Sequence, residues 1–130
     1  FIEAPENIAV GAFTYCIKSN ALKKVCDIKN TEDTEMMWTY FKDTGKFRCG
    51  ILNVKDKIYL MPEARLTLDY QEDFDFFNNI FKHFDNKNND VQLKDVLKYL
   101  KKYPDVIKIN EFRAKEWKQN QINKTKLVLK

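Results

Sequence analysis

The sequence is short of glycine, proline, cysteine, histidine and arginine, and each shortage closes off a class. Three glycines and three prolines rule out collagen-like, linker-like and glycine-rich low-complexity chains. Glycines so few and scattered cannot build a Walker loop or a G-x-G-x-x-G or G-x-S-x-G turn. Cys16, Cys26 and Cys49 cannot all pair within the chain, and no C-x-x-C spacing offers a zinc ribbon or a redox dithiol. They read as buried free thiols of a reducing cytosol. His83, the single histidine, has no cysteine or second histidine with which to share a metal, so it reads as a structural or surface side chain. No apolar run approaches the ~18–20 residues of a membrane span, and no charged-then-apolar signal segment opens the chain. The expectation is a cytoplasmic protein with no membrane partner.

What is present is a globular balance. Ten Phe, six Tyr and two Trp supply far more to bury than a disordered chain could offer. The length, 130 residues, is that of a single domain with one core. The opening at Phe1 reads like the middle of a domain, so a processed chain or a fragment is expected. Only Arg48, Arg65 and Arg113 are arginines; the other basic residues are lysines. Base readout and bidentate phosphate clamps lean on arginine. A net charge of +4 therefore permits anionic partners without demanding one. Lys94, Lys98, Lys101 and Lys102 align on one predicted helix face. That solvated stripe offers nucleic acid at most non-specific phosphate attraction, so no specific nucleic-acid partner is expected.

Along the chain, Ile8, Val10, Ala12 and Phe13 suit a short buried strand, with Gly11 marking a bulge or a close backbone approach. Ser19 can cap a helix that carries Leu22, Val25, Cys26 and Ile28. A second helix follows Asp33 and Thr34, with Met37 and Phe41 stacked and Gly45 as its stop. Phe47 to Val54 and Arg65 to Asp69 read as strands. Phe74, Phe77, Ile80, Phe81 and Phe84 then recur at helical steps as a predicted core stripe. Asn86 to Asp90 reads as a polar loop. It lacks the calcium pattern of an EF-hand, because Lys87 stands at a ligand position, Asp90 replaces the glycine and Val96 the final glutamate. Leu93, Val96, Leu97 and Leu100 make the next helix, ended by Pro104. A last helix runs from Phe112 to Gln121 with Trp117 inward. Strands first and helices after predict an α/β fold.

The informative run is Arg65-Leu66-Thr67-Leu68-Asp69-Tyr70-Gln71-Glu72-Asp73-Phe74. Alternation places Arg65, Thr67 and Asp69 on one strand face. Asp69 then stands at the carboxyl end of a strand just before a helix, where open α/β sheets bind ligands. A capping box between Asp69 and Glu72 explains the same letters without any ligand.

This run is similar to the R-[LM]-T-[LV]-D-x-P-E-D-[LF] element of sugar-nucleotide cytidylyltransferases of the acylneuraminate and spore-coat polysaccharide type. Val10-Gly11-Ala12, the Ser19 to Ile28 helix, Asp33-Thr34-Glu35, Gly45-Lys46-Phe47, Leu93 to Val96 and Ile109-Asn110 resemble the same group in the same order. Gln71 departs from the pattern, which has proline there. The resemblance covers the C-terminal half of such enzymes and implies the C-terminal portion of a nucleotide-diphospho-sugar transferase fold, Rossmann-like with a mixed sheet, ending in several helices. It implies that the chain is part of an enzyme that transfers a cytidylyl group from CTP to an acidic or surface-polysaccharide sugar, releasing pyrophosphate. On the same ground Asp69 is the expected Mg²⁺ ligand, and Arg65, Asp33 and Glu35 are expected at the substrate. Glu72 and Asp73 are assigned to helix capping. The implied partners are CTP, a sugar, and either the missing N-terminal half or further copies of the chain. A non-catalytic binding or interaction domain, either a degenerate relative or a lysine-rich module touching nucleic acid, is the alternative.

Overall fold

The computed structural model describes residues 1–32, 36–85 and 90–130. These form a mixed α/β arrangement in which helices dominate and the sheet is small. Strands β1 (Ile2–Glu3), β2 (Tyr15–Cys16) and β3 (Gly50–Ile51) lie in the order β2-β1-β3. The β1–β2 pair is antiparallel, with Ile2 opposite Cys16, and the β1–β3 pair is parallel, with Ile2 opposite Gly50. The helices are α1 (Ser19–Ile28), α2 (Trp38–Lys42), α3 (Gln71–Phe84), α4 (Leu93–Lys102) and α5 (Arg113–Lys124).

The chain divides into two compact units, and neither is continuous in sequence. The first comprises 1–4, 14–52 and 117–130; the second comprises 5–13 and 53–116. The single expected core is thus two clusters. In the first unit Val25, Tyr40 and Phe41 are buried, with Phe1, Ile17, Ala21, Met37 and Phe47 packed against them. The Phe1 and Phe41 rings stack with centroids 4.9 Å apart. The C-terminal segment is laid along this unit, because Asn30 N–H donates to Val128 C=O at 2.9 Å and Lys130 N–H to Ile28 C=O at 3.0 Å. In the second unit Ala9, Met61, Ala64, Phe76, Ile80, Phe84, Leu97, Leu100 and Ile107 form the cluster.

The five α-helices among the described residues overlap the predicted ones, but Met37 stands outside α2 as its N-cap, and α5 buries no residue, with Trp117 only half-buried. α4 stops at Lys102 because Pro104 has no N–H to give and biases Tyr103 away from helical backbone. Lys18, not Ser19, is the N-cap of α1; Ser19 is already inside the helix. The strands differ more. Of Ile8 to Phe13 only Val10 makes a β contact, an isolated parallel bridge to Arg65. Of Phe47 to Val54 only Gly50 and Ile51 pair. The three cysteines are free as expected, but all are exposed rather than buried.

The stripe of α3 is rotated from its expected position. Phe76, Ile80 and Phe84 are buried, whereas Phe74 is 51% and Phe81 62% exposed. The cause is Asp73, which is also buried. A side chain anchored there fixes the inward direction, and Phe74 and Phe81 then fall roughly 80–100° away around the helix. A polar anchor outranks two aromatic rings in setting the rotation.

Candidate functional site

The site lies within the second unit and begins with a backbone contact. Val10 N–H donates to Ala64 C=O at 2.9 Å, and Leu66 N–H donates to Val10 C=O at 2.7 Å. Gly11 follows at φ 87, and a Cβ there would stand 2.6 Å from the Leu66 carbonyl oxygen. Only glycine accepts both the left-handed backbone and the close approach. This contact fixes the extended segment that carries Arg65.

Arg65 has no accessible surface. Its Nε donates to Asp73 Oδ1 at 3.0 Å and its Nη2 to Asp73 Oδ2 at 3.2 Å, a side-on bidentate pair. Nη2 also donates to Asp69 Oδ2 at 2.6 Å. Asp73 Oδ2 accepts the backbone N–H groups of Asp69 at 2.9 Å and Tyr70 at 3.0 Å. Asn110 completes the set, its Nδ2 donating to Asp73 Oδ1 at 2.8 Å and to Arg65 C=O at 3.0 Å. Burial alone would raise the Asp73 carboxyl, but the Arg65 pair and the donated N–H groups outweigh it and hold the pKa below the usual aspartate value. A buried charge is tolerable only when satisfied in this way.

The capping role falls to Asp73. Tyr70 is the N-cap of α3, and Asp73, at the third helical position, takes the Tyr70 N–H. Glu72 is used elsewhere: Arg113 Nε and Nη2 donate to its two oxygens at 3.0 and 2.8 Å. That pairing holds the Glu72 carboxyl below its ordinary pKa and the Arg113 guanidinium above its own. Arg113 Nη1 also meets Glu116. The Tyr70 ring lies 5.5 Å from the Arg65 guanidinium carbon and 4.8 Å from that of Arg113, so two of the three arginines converge on one ring.

Asp69 is the exposed member of this assembly, with 44% of its side chain accessible. Oδ2 is occupied by Arg65, and Oδ1 receives no hydrogen bond from a described residue. Among the described residues no group of three or more His, Cys, Asp or Glu side chains converges to hold a metal. One carboxylate fits Mg²⁺ as a single ligand beside water and phosphate oxygens, the usual manner of that ion at phosphate sites. Asp33 and Glu35 lie outside the described residues, as do Lys87 and Asn89 of the polar loop. Of the lysine stripe, Lys94 pairs with Asp56 at 2.7 Å and Lys98 with Asp95 at 3.4 Å, which leaves fewer uncompensated charges than the sequence suggests. His83 stacks on Tyr99 with ring centroids 4.2 Å apart.

No protein-family model matches the chain, and the comparisons with curated proteins and with solved structures found no match. No helix is long and apolar enough to cross a membrane among the described residues. Three members of the site carry no role in the residue-by-residue reading of the sequence, Tyr70, Asn110 and Arg113. Asn110 is a lone amide between Ile107, Ile109 and Phe112, and a polar residue in that setting is a signal for a buried partner. Arg113 gives no comparable signal, since an arginine at a helix start is ordinary.

Proposed function

We propose that the chain is part of a nucleotidyltransferase of the sugar-nucleotide cytidylyltransferase type, passing a cytidylyl group from CTP to an acidic or surface-polysaccharide sugar. In this reading the small mixed sheet and the helices belong to a nucleotide-diphospho-sugar transferase fold. What supports it is the resemblance of the run from Arg65 to Phe74, together with one observation. The extended segment bridged to Val10 ends at Asp69, whose carboxylate is exposed immediately before α3 and held from behind by a fully buried guanidinium. A carboxylate so placed can join Mg²⁺ on a triphosphate, where the ion neutralises charge and aligns oxygens. Asp69→Asn in the full-length protein keeps an acceptor for Arg65 but removes the charge. Turnover with CTP and Mg²⁺ is expected to fall roughly 10²-fold with the fold intact; unchanged turnover would remove the reading. A second reading, a non-catalytic binding domain, is favoured by the complete burial of Arg65, which spends on Asp73 and Asp69 the charge that a substrate would use. Retained fold with no CTP binding in the full-length protein would select it.

A further inference from the structure

We infer that Asn110 is a positioning residue for Asp69, acting through Asp73 and Arg65; the inference rests on Asp69 being a metal carboxylate as proposed above. The guanidinium is a rigid planar fork. Its Nε–H and one Nη2–H are taken by the two oxygens of Asp73, and the other Nη2–H is the one given to Asp69 Oδ2. The direction of that last N–H is set by the plane of the Asp73 carboxylate. Backbone N–H groups of Asp69 and Tyr70 fix Oδ2 of Asp73, but Oδ1 is fixed from outside by Asn110 alone. The same amide nitrogen holds the Arg65 carbonyl oxygen, so one side chain clamps Arg65 at its backbone and at its partner.

The amide orientation is forced. Reversed, it would set an oxygen against a carboxylate and a carbonyl. In the orientation present, Asn110 Oδ1 is buried with no partner among the described residues. A buried acceptor left unsatisfied is costly, and it persists here because the nitrogen end has two bonds to make. Asn110 itself is anchored locally: its N–H donates to Ile107 C=O at 3.3 Å, and its C=O accepts from Arg113 N–H at 3.0 Å. The linkage therefore runs from the start of α5 through a buried ion pair to an exposed carboxylate.

The experiment uses the full-length protein with CTP and with Mn²⁺ as the probe for Mg²⁺. Paramagnetic broadening of the Asp69 backbone amide is followed by NMR as Mn²⁺ is added. Asn110→Ala is expected to keep a cooperative melt while raising the Mn²⁺ concentration for half-broadening about tenfold, the usual scale for losing an outer partner of a metal ligand. Asn110→Ser retains one donor and is expected to recover part of that loss. Wild-type Mn²⁺ response in Asn110→Ala, with the response abolished in Asp69→Asn, overturns the inference and leaves the proposed function standing. Wild-type response in Asp69→Asn overturns the proposed function and this inference with it. Loss of a cooperative melt in both Asn110 variants assigns Asn110 to stability alone and also overturns the inference.

Discussion

Tyr40 in the first unit and Arg65 in the second are both sealed from solvent, and they meet very different surroundings. The Tyr40 hydroxyl donates to Val128 C=O at 3.2 Å and accepts from Val128 N–H at 3.3 Å, a neutral contact to backbone inside an aromatic cluster. Arg65 instead sits in a charged network whose every link is needed to offset the burial of the next. A neutral contact can be lost without leaving a charge stranded; an ion pair cannot. The first unit should therefore absorb polar deletions that the second does not tolerate.

The largest test of that contrast is Arg65→Met. It leaves Asp73 buried without its counter-charge, and the second unit is expected to lose about 3–5 kcal/mol in denaturant unfolding. A loss below about 1 kcal/mol would show that the pair is worth no more than a surface ion pair. Acid is the milder form of the same lesion. Because the Asp73 pKa is lower folded than unfolded, its contribution is complete above the unfolded aspartate value of about 3.9 and disappears as pH falls below it. Urea midpoints taken through that window should drop in wild type and drop less in Asp73→Asn, where the carboxylates still paired, Glu72 among them, carry what remains. Gly11→Ala comes next. The left-handed backbone and the 2.6 Å approach to Leu66 oxygen forbid a Cβ, whereas Gly45, at φ 65, has nothing within 4 Å. Gly11→Ala should cost about 1–3 kcal/mol and Gly45→Ala about 1 kcal/mol or less. Equal losses would mean that backbone strain alone matters. The smallest effect is expected for Tyr40→Phe, about 0.5–1.5 kcal/mol. Trp38 and Trp117 both belong to the first unit, so tryptophan emission follows that change, while far-UV circular dichroism includes the signal of α3 and α4.

The helices were legible because their signals are local: Leu97 and Leu100, three residues apart, and a proline after Tyr103 suffice to place α4. The strands were not, because a strand-like run such as Phe47 to Val54 says which residues could pair but not how few partners exist to pair with. Gly11 was legible as a close approach, though not against which backbone. The site divides in the same way. Arg65 and Asp69 were expected on one face of a strand, but only Arg65 makes a β contact and the chain bends at Asp69 and Tyr70, which is what lets the two side chains meet. Glu72 and Asp73 were both assigned to capping and Asp73 does cap α3, but that Glu72 turns instead to Arg113 and that Asn110 joins Asp73 depends on contacts 41 and 37 residues distant. Sequence spacing carries no information at that range.

The path of the chain between the units has a consequence for how the molecule is made. The boundary is crossed after Ala4, Phe13, Leu52 and Glu116. Every segment of the second unit precedes residue 117, so that unit can collapse around Phe76 and Leu97 without the C-terminal segment. The first unit waits for residues 117–130, including Val128, the partner of Tyr40. Its closing contact spans 88 positions, and loops of that length are closed late because their entropy is lost before any contact rewards it. The part of the molecule most forgiving of substitution is thus the last to close, after the second unit has its core.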